Sequence, residues 1–310
     1  MRNPSSPVAC TGKAAIAGSV LVIGADGQVG SVVSKDLAGR GCKVIGTTRR
    51  TAAVTGDRLF LDFNLPPEEW PDLPPADATV ISIAATRITE CDSDPEGTAA
   101  VNLHAPVVLA RQQVERGSFV LFLSTTGVFD FSRSFRSHDE PPSPATTYGR
   151  QKAEAESRIL GLDGNTAVLR LTKVMGPEMP LLKRWHEELT AGKVITAFHD
   201  TTIAPIAVTF AARMIHEIIS RRTEGIFHAS GDEDLPYTAL AEELIRAMNL
   251  GPEMVEAREG RVPGHPSEDS PRYTTLDMSG EREVFGITAP SSRATMAEAA
   301  DLIARQGPPA

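Results

Sequence analysis

At 310 residues with 41% hydrophobic content, the chain is long enough to form one large core or two smaller ones. Its formal net charge of -9, without a long run of Lys or Arg, excludes nucleic acid and anionic membranes as expected partners. Apolar runs all fall short of the roughly 18 residues that a membrane span requires, so a globular protein of enzyme size is expected.

Residues 1–18 are small and polar and contain Pro and Ser, so we predict a flexible tail rather than a signal peptide. The three cysteines, Cys10, Cys42 and Cys91, are odd in number and widely spaced. This pattern predicts reduced thiols and a cytoplasmic location rather than a disulfide framework. The histidines are scattered without the spacing of metal ligands, and no metal site is predicted.

Strands and helices alternate over residues 19–175. Short apolar runs predict strands at SVLVIG, CKVIGTTRR, RLFLDFN, DATVISIAA, SFVLFLST and TAVLRLTKV. Helical spacing of apolar residues fits between several of them, notably in EGTAAVNLHAPVVLARQQVERG and YGRQKAEAESRILGL. Apolar strands joined by helices predict an α/β fold, a doubly wound parallel sheet with both faces covered.

After about residue 175 the pattern changes to helices separated by prolines. A smaller, mainly helical part is therefore predicted over 176–310. One strand, GIFHAS near 225–230, could return to the main sheet. Ligands in doubly wound folds bind at the carboxyl ends of the strands, so the second part is expected to pack there and to bind the substrate.

The sequence GADGQVG places Gly24, Gly27 and Gly30 between the first predicted strand and the first predicted helix. Glycines allow a tight turn and a close approach to the backbone, and the N–H groups of a helix N-terminus favour a pyrophosphate. We therefore predict a Rossmann dinucleotide site that includes Gln28 and Val29. The alternative is a turn that only connects a strand to a helix.

Cations follow the second predicted strand, about twenty residues after the glycine turn. An NAD site usually has a carboxylate there, whereas this chain has Thr48, Arg49 and Arg50. Either arginine can bind a 2′-phosphate through charge-assisted hydrogen bonds, which predicts NADP as the cofactor, with NAD less favoured. The alternative is an arginine pair on a solvated loop.

Ser124 and Thr125 end the fifth predicted strand, ahead of a helical pair, Tyr148 and Lys152. The four-residue spacing places the phenol beside the ammonium. A cation about 5 Å away at an effective dielectric of ~20 stabilises a phenolate by about 3 kcal/mol, or roughly two pKa units. The pair is then suited to proton transfer, the alternative being two solvated neighbours on a helix.

Together the glycine spacing, SIAAT, VNLHAP, STTGVFD and YGRQKAEAE resemble the extended short-chain dehydrogenase/reductases. Within that superfamily the chain is most similar to the sugar-nucleotide-binding dTDP-4-dehydrorhamnose reductase group, and PRYTTLDMSG resembles its late substrate-side segment. The resemblance covers nearly the whole chain after the tail. It implies that Tyr148 donates a proton, Lys152 also binds the nicotinamide ribose, and Thr125 hydrogen-bonds the substrate oxygen. Asn102 is expected to satisfy backbone groups beside the site.

The resemblance implies further cofactor contacts at the ends of two strands. Asp62 and the following Phe63 would lie beside the adenine, while capping of a turn is the alternative for Asp62. Ala84, Ala85 and Thr86 end the fourth strand, where small side chains would let the cofactor approach the backbone. Plain packing is the alternative for these three residues.

On the substrate side the sequence departs from the reductase group. Lys173 replaces an aromatic residue, Phe131 stands where a glycine usually follows VFD, and HDTTIAPI differs from the D-Q-x-G-x-P-T run. Thr126 and Gly127 occupy the places of the acidic pair of the related 4,6-dehydratases, so dehydration is not expected. We predict Thr126 and Lys173 as substrate contacts, with a solvent-exposed lysine as the alternative for Lys173.

Three functions fit these residues. We favour an NADP-dependent reductase of a keto-sugar nucleotide, with hydride from the nicotinamide and the proton from Tyr148. The alternatives are an epimerase of the same fold and a non-catalytic NADP-binding regulatory subunit, similar to the β subunit of methionine adenosyltransferase. Retention of Thr125, Tyr148 and Lys152 favours catalysis over the last. The resemblance allows a homodimer, but the sequence names neither the sugar nor the nucleotide.

Overall fold

The computed structural model describes residues 18–176, 179–260 and 271–306. Nearly all of the predicted N-terminal tail, with Cys10, lies outside these ranges. Among the helices within them, none is both long enough and apolar enough to cross a membrane.

Strands and helices alternate through the first half of the described chain, as predicted. The strands are β1 (Ser19–Ile23), β2 (Lys43–Thr48), β3 (Arg58–Phe60), β4 (Ala78–Ile81), β5 (Phe119–Thr125), β6 (Thr166–Leu171), β7 (Lys173–Met175), β8 (Ile195–Phe198), β9 (Thr202–Ile203), β10 (Pro205–Ala207), β11 (Gly225–Ala229), β12 (Leu235–Pro236) and β13 (Val255–Arg258). The α-helices are α1 (Gln28–Gly39), α2 (Ile88–Ser93), α3 (Pro95–Ala99), α4 (Ala105–Glu115), α5 (Thr147–Leu160), α6 (Pro180–Thr190), α7 (Val208–Arg221), α8 (Tyr237–Ala247), α9 (Ser279–Phe285) and α10 (Ser292–Ala304).

Seven parallel strands form the main sheet, in the order β11-β6-β5-β4-β1-β2-β3. Because successive side chains of a strand point to opposite faces, each buried strand serves two cores. Val20 and Val22 of β1 pack in a core with α1 and α7, whereas Leu21 and Ile23 pack in a core with α4 and α5. Helices on both faces confirm the predicted doubly wound Rossmann fold.

The chain after residue 176 contributes to both parts of the molecule. β11 extends the main sheet beside β6, and α7 packs on the same face as α1. A third core joins α6, α8 and α10 with the parallel pair β8 and β13, and it buries Trp185. β7 follows β6 after a single residue, and its Met175 packs in this third core, so the smaller, mainly helical part begins at the carboxyl end of β6.

Candidate functional site

The three glycines between β1 and α1 differ in what requires them. Gly24 has a φ of +86°, a conformation that L side chains rarely adopt. A Cβ at Gly30 would collide with the carbonyl oxygen of Gly24, so α1 packs directly on the turn. A Cβ at Gly27 would meet only that same oxygen, at 3.3 Å, with open space otherwise. The turn therefore leaves a cradle in front of the N-terminus of α1, as a pyrophosphate requires.

A cavity of about 860 Å³ lies beside this turn, at the carboxyl ends of β1, β2 and β4. It brings together ten of the predicted cofactor residues: Gly24, Gly27, Thr48, Arg49, Arg50, Asp62, Phe63, Ala84, Ala85 and Thr86. The other five predicted cofactor residues do not line it: Gln28, Val29, Gly30, Tyr148 and Lys152. The Gln28 amide instead donates to the carbonyl oxygen of Val174, 3.2 Å away, and so joins α1 to β7.

Asp62 and Phe63 form one wall of the cavity. Asp62 Oδ1 accepts hydrogen bonds from the backbone N–H of Asn64 at 3.0 Å and from its amide at 2.9 Å. The Phe63 ring packs edge-on against Trp70, with 5.2 Å between the ring centroids. Asp62 thus caps a turn and lines the cavity as well, so the two interpretations of this residue are compatible.

Asp26, which is not among the predicted site residues, brings a carboxylate to the end of β2. It accepts a hydrogen bond from Thr48 Oγ1 at 2.5 Å and forms ion pairs with Arg50, at 3.1 Å, and with Arg58. Partial burial raises the pKa of Asp26, but the hydrogen bonds and charges of these partners outweigh it and lower the pKa. Arg50, a predicted phosphate ligand, therefore already has a carboxylate partner.

The helix that carries Tyr148 is held close to the end of β5. Thr146 caps α5, since its Oγ1 accepts a hydrogen bond from the N–H of Gly149 at 3.0 Å. A Cβ at Gly149 would collide with the carbonyl oxygen of Gly127, so this helix turn rests directly on the turn after β5. The close contact brings Tyr148 beside Thr125, since a Cβ at Gly127 would lie 3.4 Å from Thr125 Oγ1 and 3.9 Å from Tyr148 Cδ1.

Burial governs the ionisation of Tyr148. It raises the pKa of the phenol above its usual value, the nearby Cys91 raises it further, and the hydrogen bond with Thr125 lowers it. The sequence predicts a pKa of the phenol lowered by the ammonium of Lys152, and burial of the phenol has the opposite effect. In the folded chain desolvation is the largest contribution, so the phenol stays protonated at neutral pH.

Lys152 is almost completely buried, with 1% of its surface exposed. Its Nζ donates a hydrogen bond to the carbonyl oxygen of Leu123 at 2.7 Å and lies 3.7 Å from the centroid of the Phe122 ring. Burial lowers the pKa of Lys152 to about 7, although the charge of Glu156 opposes the shift. The amine therefore changes its charge near neutral pH.

The shifted pKa of Lys152 predicts a pH dependence of stability. The unfolded lysine, with its ordinary pKa of 10.5, binds a proton more tightly than the folded one, so the free energy of unfolding falls as pH drops from 9 to 7. We expect the change in the free energy of unfolding between pH 9 and pH 7 to be about 2 kcal/mol smaller in Lys152→Met than in the native chain. Urea unfolding of both proteins at both pH values, without cofactor, measures this difference. Equal pH dependence in the two proteins would show that Lys152 titrates normally.

A clamp of side-chain amides joins α5 to the end of β4. Asn102 lies in the π-helical turn Ala100–His104, where its Oδ1 accepts from the N–H of Ala85 at 2.8 Å and its amide donates to the Ala85 carbonyl at 3.0 Å. The same amide donates to Gln151 Oε1 at 2.8 Å, and Gln151 donates to the Pro95 carbonyl at 2.9 Å. The prediction that Asn102 satisfies backbone groups is confirmed. The role of Gln151 in this network was not predicted. The available signal was a polar residue between Tyr148 and Lys152 in YGRQK.

Thr126 connects the end of β5 to the second part of the molecule. Its Oγ1 donates to the carbonyl oxygen of Thr274 at 2.9 Å. Asp234 Oδ1 accepts from the backbone N–H groups of Thr274, at 2.6 Å, and Thr275, at 3.1 Å. The PRYTTLDMSG segment is thereby fixed next to the predicted catalytic residues, and its position agrees with a substrate-side role.

Lys173 and Phe131 are the two substrate-side residues at which the sequence departs from the reductase group. Lys173 begins β7, pairs in register with Pro205 of β10, and is exposed. Phe131 has a φ of +57°, the left-handed conformation that glycine adopts easily. The loop thus keeps a glycine-type backbone at the position where the reductase group usually has glycine.

Residues 18–304 match the family described as the RmlD substrate binding domain. The chain belongs to this family. The match spans both parts of the fold, and it confirms the resemblance to the dTDP-4-dehydrorhamnose reductase group.

Curated relatives of this RmlD-family chain include reductases and a regulatory subunit. It is 29% identical over 269 residues to a dTDP-4-dehydrorhamnose reductase of Streptomyces griseus, covering 84% of this chain and 85% of that protein. It is 26% identical over 281 residues to a probable low-salt glycan biosynthesis reductase, Agl14, of Haloferax volcanii, with coverage of 87% and 93%. It is 25% identical over 243 residues to methionine adenosyltransferase 2 subunit beta of Pongo abelii, with coverage of 74% and 72%.

Solved structures share the fold of the RmlD-family chain. A dTDP-4-dehydrorhamnose reductase from Bacillus anthracis, in complex with NADP, superposes with a TM-score of 0.74 at 17% identity, over 91% of this chain and 96% of that one. MoeE5, in complex with UDP-glucose and NAD, gives a TM-score of 0.76 at 21% identity, with coverage of 93% and 99%. At these identities the likeness shows the fold alone.

Proposed function

We propose that the chain is an NADP-dependent reductase of a keto-sugar nucleotide. The observation that carries the proposal is the juxtaposition of Thr125 and Tyr148, which the packing of α5 on the turn after β5 brings together. This pair lies at the carboxyl edge of the sheet whose neighbouring strands line a cavity suited to a dinucleotide. The cytoplasmic location and the homodimer stay predictions of the sequence.

The residues present fit a dinucleotide. The open space at Gly27 suits the pyrophosphate, Arg49 and Arg50 would hold the 2′-phosphate, and Asp62 and Phe63 would lie beside the adenine. By resemblance Lys152 would hold the nicotinamide ribose. When bound, the nicotinamide would supply the hydride.

The chain's own residues would then supply the proton. Thr125 and Tyr148 bind the ketone oxygen, and the phenol, protonated at neutral pH, gives its proton to that oxygen as negative charge develops there. A protonated Lys152 stabilises the phenolate left behind. Solvent restores the phenol proton, so one hydride and one proton convert the ketone to an alcohol.

A panel of keto-sugar nucleotides, each mixed with NADPH and purified protein, tests this function. A reductase consumes NADPH in a one-to-one ratio with alcohol product, which the loss of nicotinamide absorbance measures. An epimerase of this fold converts its substrate without net loss of NADPH. Product without NADPH loss would contradict the reductase and favour the epimerase.

The similarity to methionine adenosyltransferase 2 subunit beta supports a second candidate, a regulatory subunit. Such a protein would bind NADP, leave every keto-sugar nucleotide unchanged, and co-elute with a methionine adenosyltransferase catalytic subunit in size-exclusion chromatography. Turnover together with separate elution would exclude this candidate.

The two arginines after β2 predict cofactor preference. We expect the Arg49→Ala, Arg50→Ala double variant to bind NADP at least about tenfold more weakly, because charge-assisted bonds to the 2′-phosphate are lost, while NAD affinity changes little. Calorimetric titration with both cofactors measures the change. Arg158→Ala is a matched control, because Arg158 pairs with Glu154 on an exposed face of α5. An unchanged NADP affinity in the double variant would show that Arg49 and Arg50 are surface charges that do not bind the 2′-phosphate.

A further inference from the structure

The carboxylate of Asp26 lines the cavity at the end of β2, although Asp26 belongs to the glycine turn and not to β2. We propose that Asp26 and Arg58 determine the choice between the two dinucleotides: Asp26 favours the unphosphorylated ribose of NAD, and Arg58 offsets the charge of Asp26 so that NADP also binds. The inference rests on the proposed use of a dinucleotide cofactor. It adds Asp26, which lines the cavity, as a cofactor contact, and Arg58 as a residue that acts through Asp26.

Asp26 lies where a ribose carboxylate is needed, although it comes from a different segment. Its backbone belongs to the glycine turn, directly before Gly27, while its side chain reaches Thr48 at the end of β2. Both residues line the cavity, together with Arg49 and Arg50. An NAD site places a carboxylate at this strand end to accept hydrogen bonds from the ribose hydroxyls. Asp26 supplies that acceptor from the neighbouring turn.

Arg58 reaches Asp26 by crossing the intervening strand. It begins β3 and is paired in register with Gly46 of β2. A Cβ at Gly46 would lie 2.7 Å from the Cβ of Ala25 and 3.7 Å from the Arg58 Nε, so the guanidinium lies over a position without a side chain. It then forms an ion pair with Asp26 Oδ1. The packing at Gly46 therefore holds Arg58 against the carboxylate.

The two arginines bound to Asp26 differ in their freedom. The side chain of Arg50 is 69% exposed, whereas that of Arg58 is 31% exposed. Arg50 can leave Asp26 for a phosphate at little cost, since exposed ion pairs contribute little. Arg58 is held by packing and stays with the carboxylate. Asp26 would otherwise repel the dianionic 2′-phosphate, and Arg58 cancels that charge.

Opposite effects of two substitutions test this assignment. The measurement is the ratio of the dissociation constants for NAD and NADP, obtained by calorimetry on the full chain at a fixed salt concentration. We expect Asp26→Asn to raise the NAD/NADP ratio about tenfold, through tighter NADP and weaker NAD, because the amide keeps an acceptor for Thr48 but loses the charge. We expect Arg58→Gln to lower the ratio by about the same factor, because Asp26 is then left uncompensated.

Asp36→Asn is the matched control. Asp36 also lies on the α1 side of the glycine turn and forms an ion pair with an arginine, Arg40, at 2.7 Å, but it does not line the cavity. The Asp36→Asn variant should have the same NAD/NADP ratio of dissociation constants as the native chain. A ratio unchanged in both Asp26→Asn and Arg58→Gln, or moved in the same direction by both, overturns the inference. Absence of binding of either dinucleotide to the native chain would instead reject the cofactor of the proposed function.

Discussion

Tyr148→Phe is expected to lower turnover of a keto-sugar nucleotide by a factor on the order of a hundred or more, with NADPH affinity nearly unchanged. The ring and its packing are kept, while the hydroxyl proton that would pass to the substrate oxygen is removed. Steady-state loss of NADPH absorbance measures turnover, and calorimetry measures cofactor affinity. A large fall in turnover at constant affinity identifies a group used in the chemical step.

Two further variants make the result specific. Tyr237→Phe, at the start of α8 in the second part, removes a phenolic hydroxyl outside the proposed site and should leave turnover unchanged. Lys152→Met should damage both turnover and cofactor binding, because the amine is assigned to both tasks. Near-native turnover in Tyr148→Phe would show that another group donates the proton, and Tyr148 and Lys152 would then be neighbours on a helix without a chemical role.

Gly27→Leu is expected to weaken dinucleotide binding by at least about a hundredfold and to leave the fold intact. The backbone at Gly27 has φ of −71° and ψ of 165°, which any residue adopts, and a Cβ there would meet one atom, the Gly24 carbonyl oxygen at 3.3 Å, which must shift by a few tenths of an ångström. The leucine side chain would enter the open space in front of α1, where the pyrophosphate must approach the backbone N–H groups. Calorimetric titration with NADPH and thermal unfolding measure the two effects separately.

Two other glycines of the same segment are controls with opposite expectations. Gly39→Leu, at the far end of α1, meets nothing within 4 Å and should affect neither binding nor stability by more than about 1 kcal/mol. Gly30→Ala should reduce stability as well as binding, because its Cβ collides with the turn. If Gly27→Leu binds NADPH as the native chain does, the phosphates do not lie on this turn.

The main sheet could be predicted from the sequence because its strands are short apolar runs whose neighbours along the chain are helices. The glycine turn was also predictable, since Gly24 and Gly30 meet local steric needs and Gly27 leaves space in front of α1. The course of the chain after α6 was harder to predict. Nothing local shows that α7 packs on the main sheet while α8 packs elsewhere, because both helices have a pronounced apolar face.

The residues of the candidate site that could be predicted from the sequence are those whose position follows from adjacent residues in the chain. Thr125 and Tyr148 meet because each lies at a recognisable end of its element. Asp26 and Arg58 could not be paired, because their contact crosses β2 over a glycine that no periodic pattern marks. Desolvation of Tyr148 was also missed, since burial at one end of a helix depends on what the rest of the chain packs against it.

The hydrogen bond between Thr126 and Thr274 has a mechanical consequence. One peptide unit separates Thr125, which meets the phenol, from Thr126, which holds the second part through Thr274. The end of β5 is thus shared by the proposed catalytic threonine and the second part of the molecule, which would enclose a sugar. A rotation of that part on ligand binding would turn the same peptide, so closure and alignment of the threonine would occur as one motion.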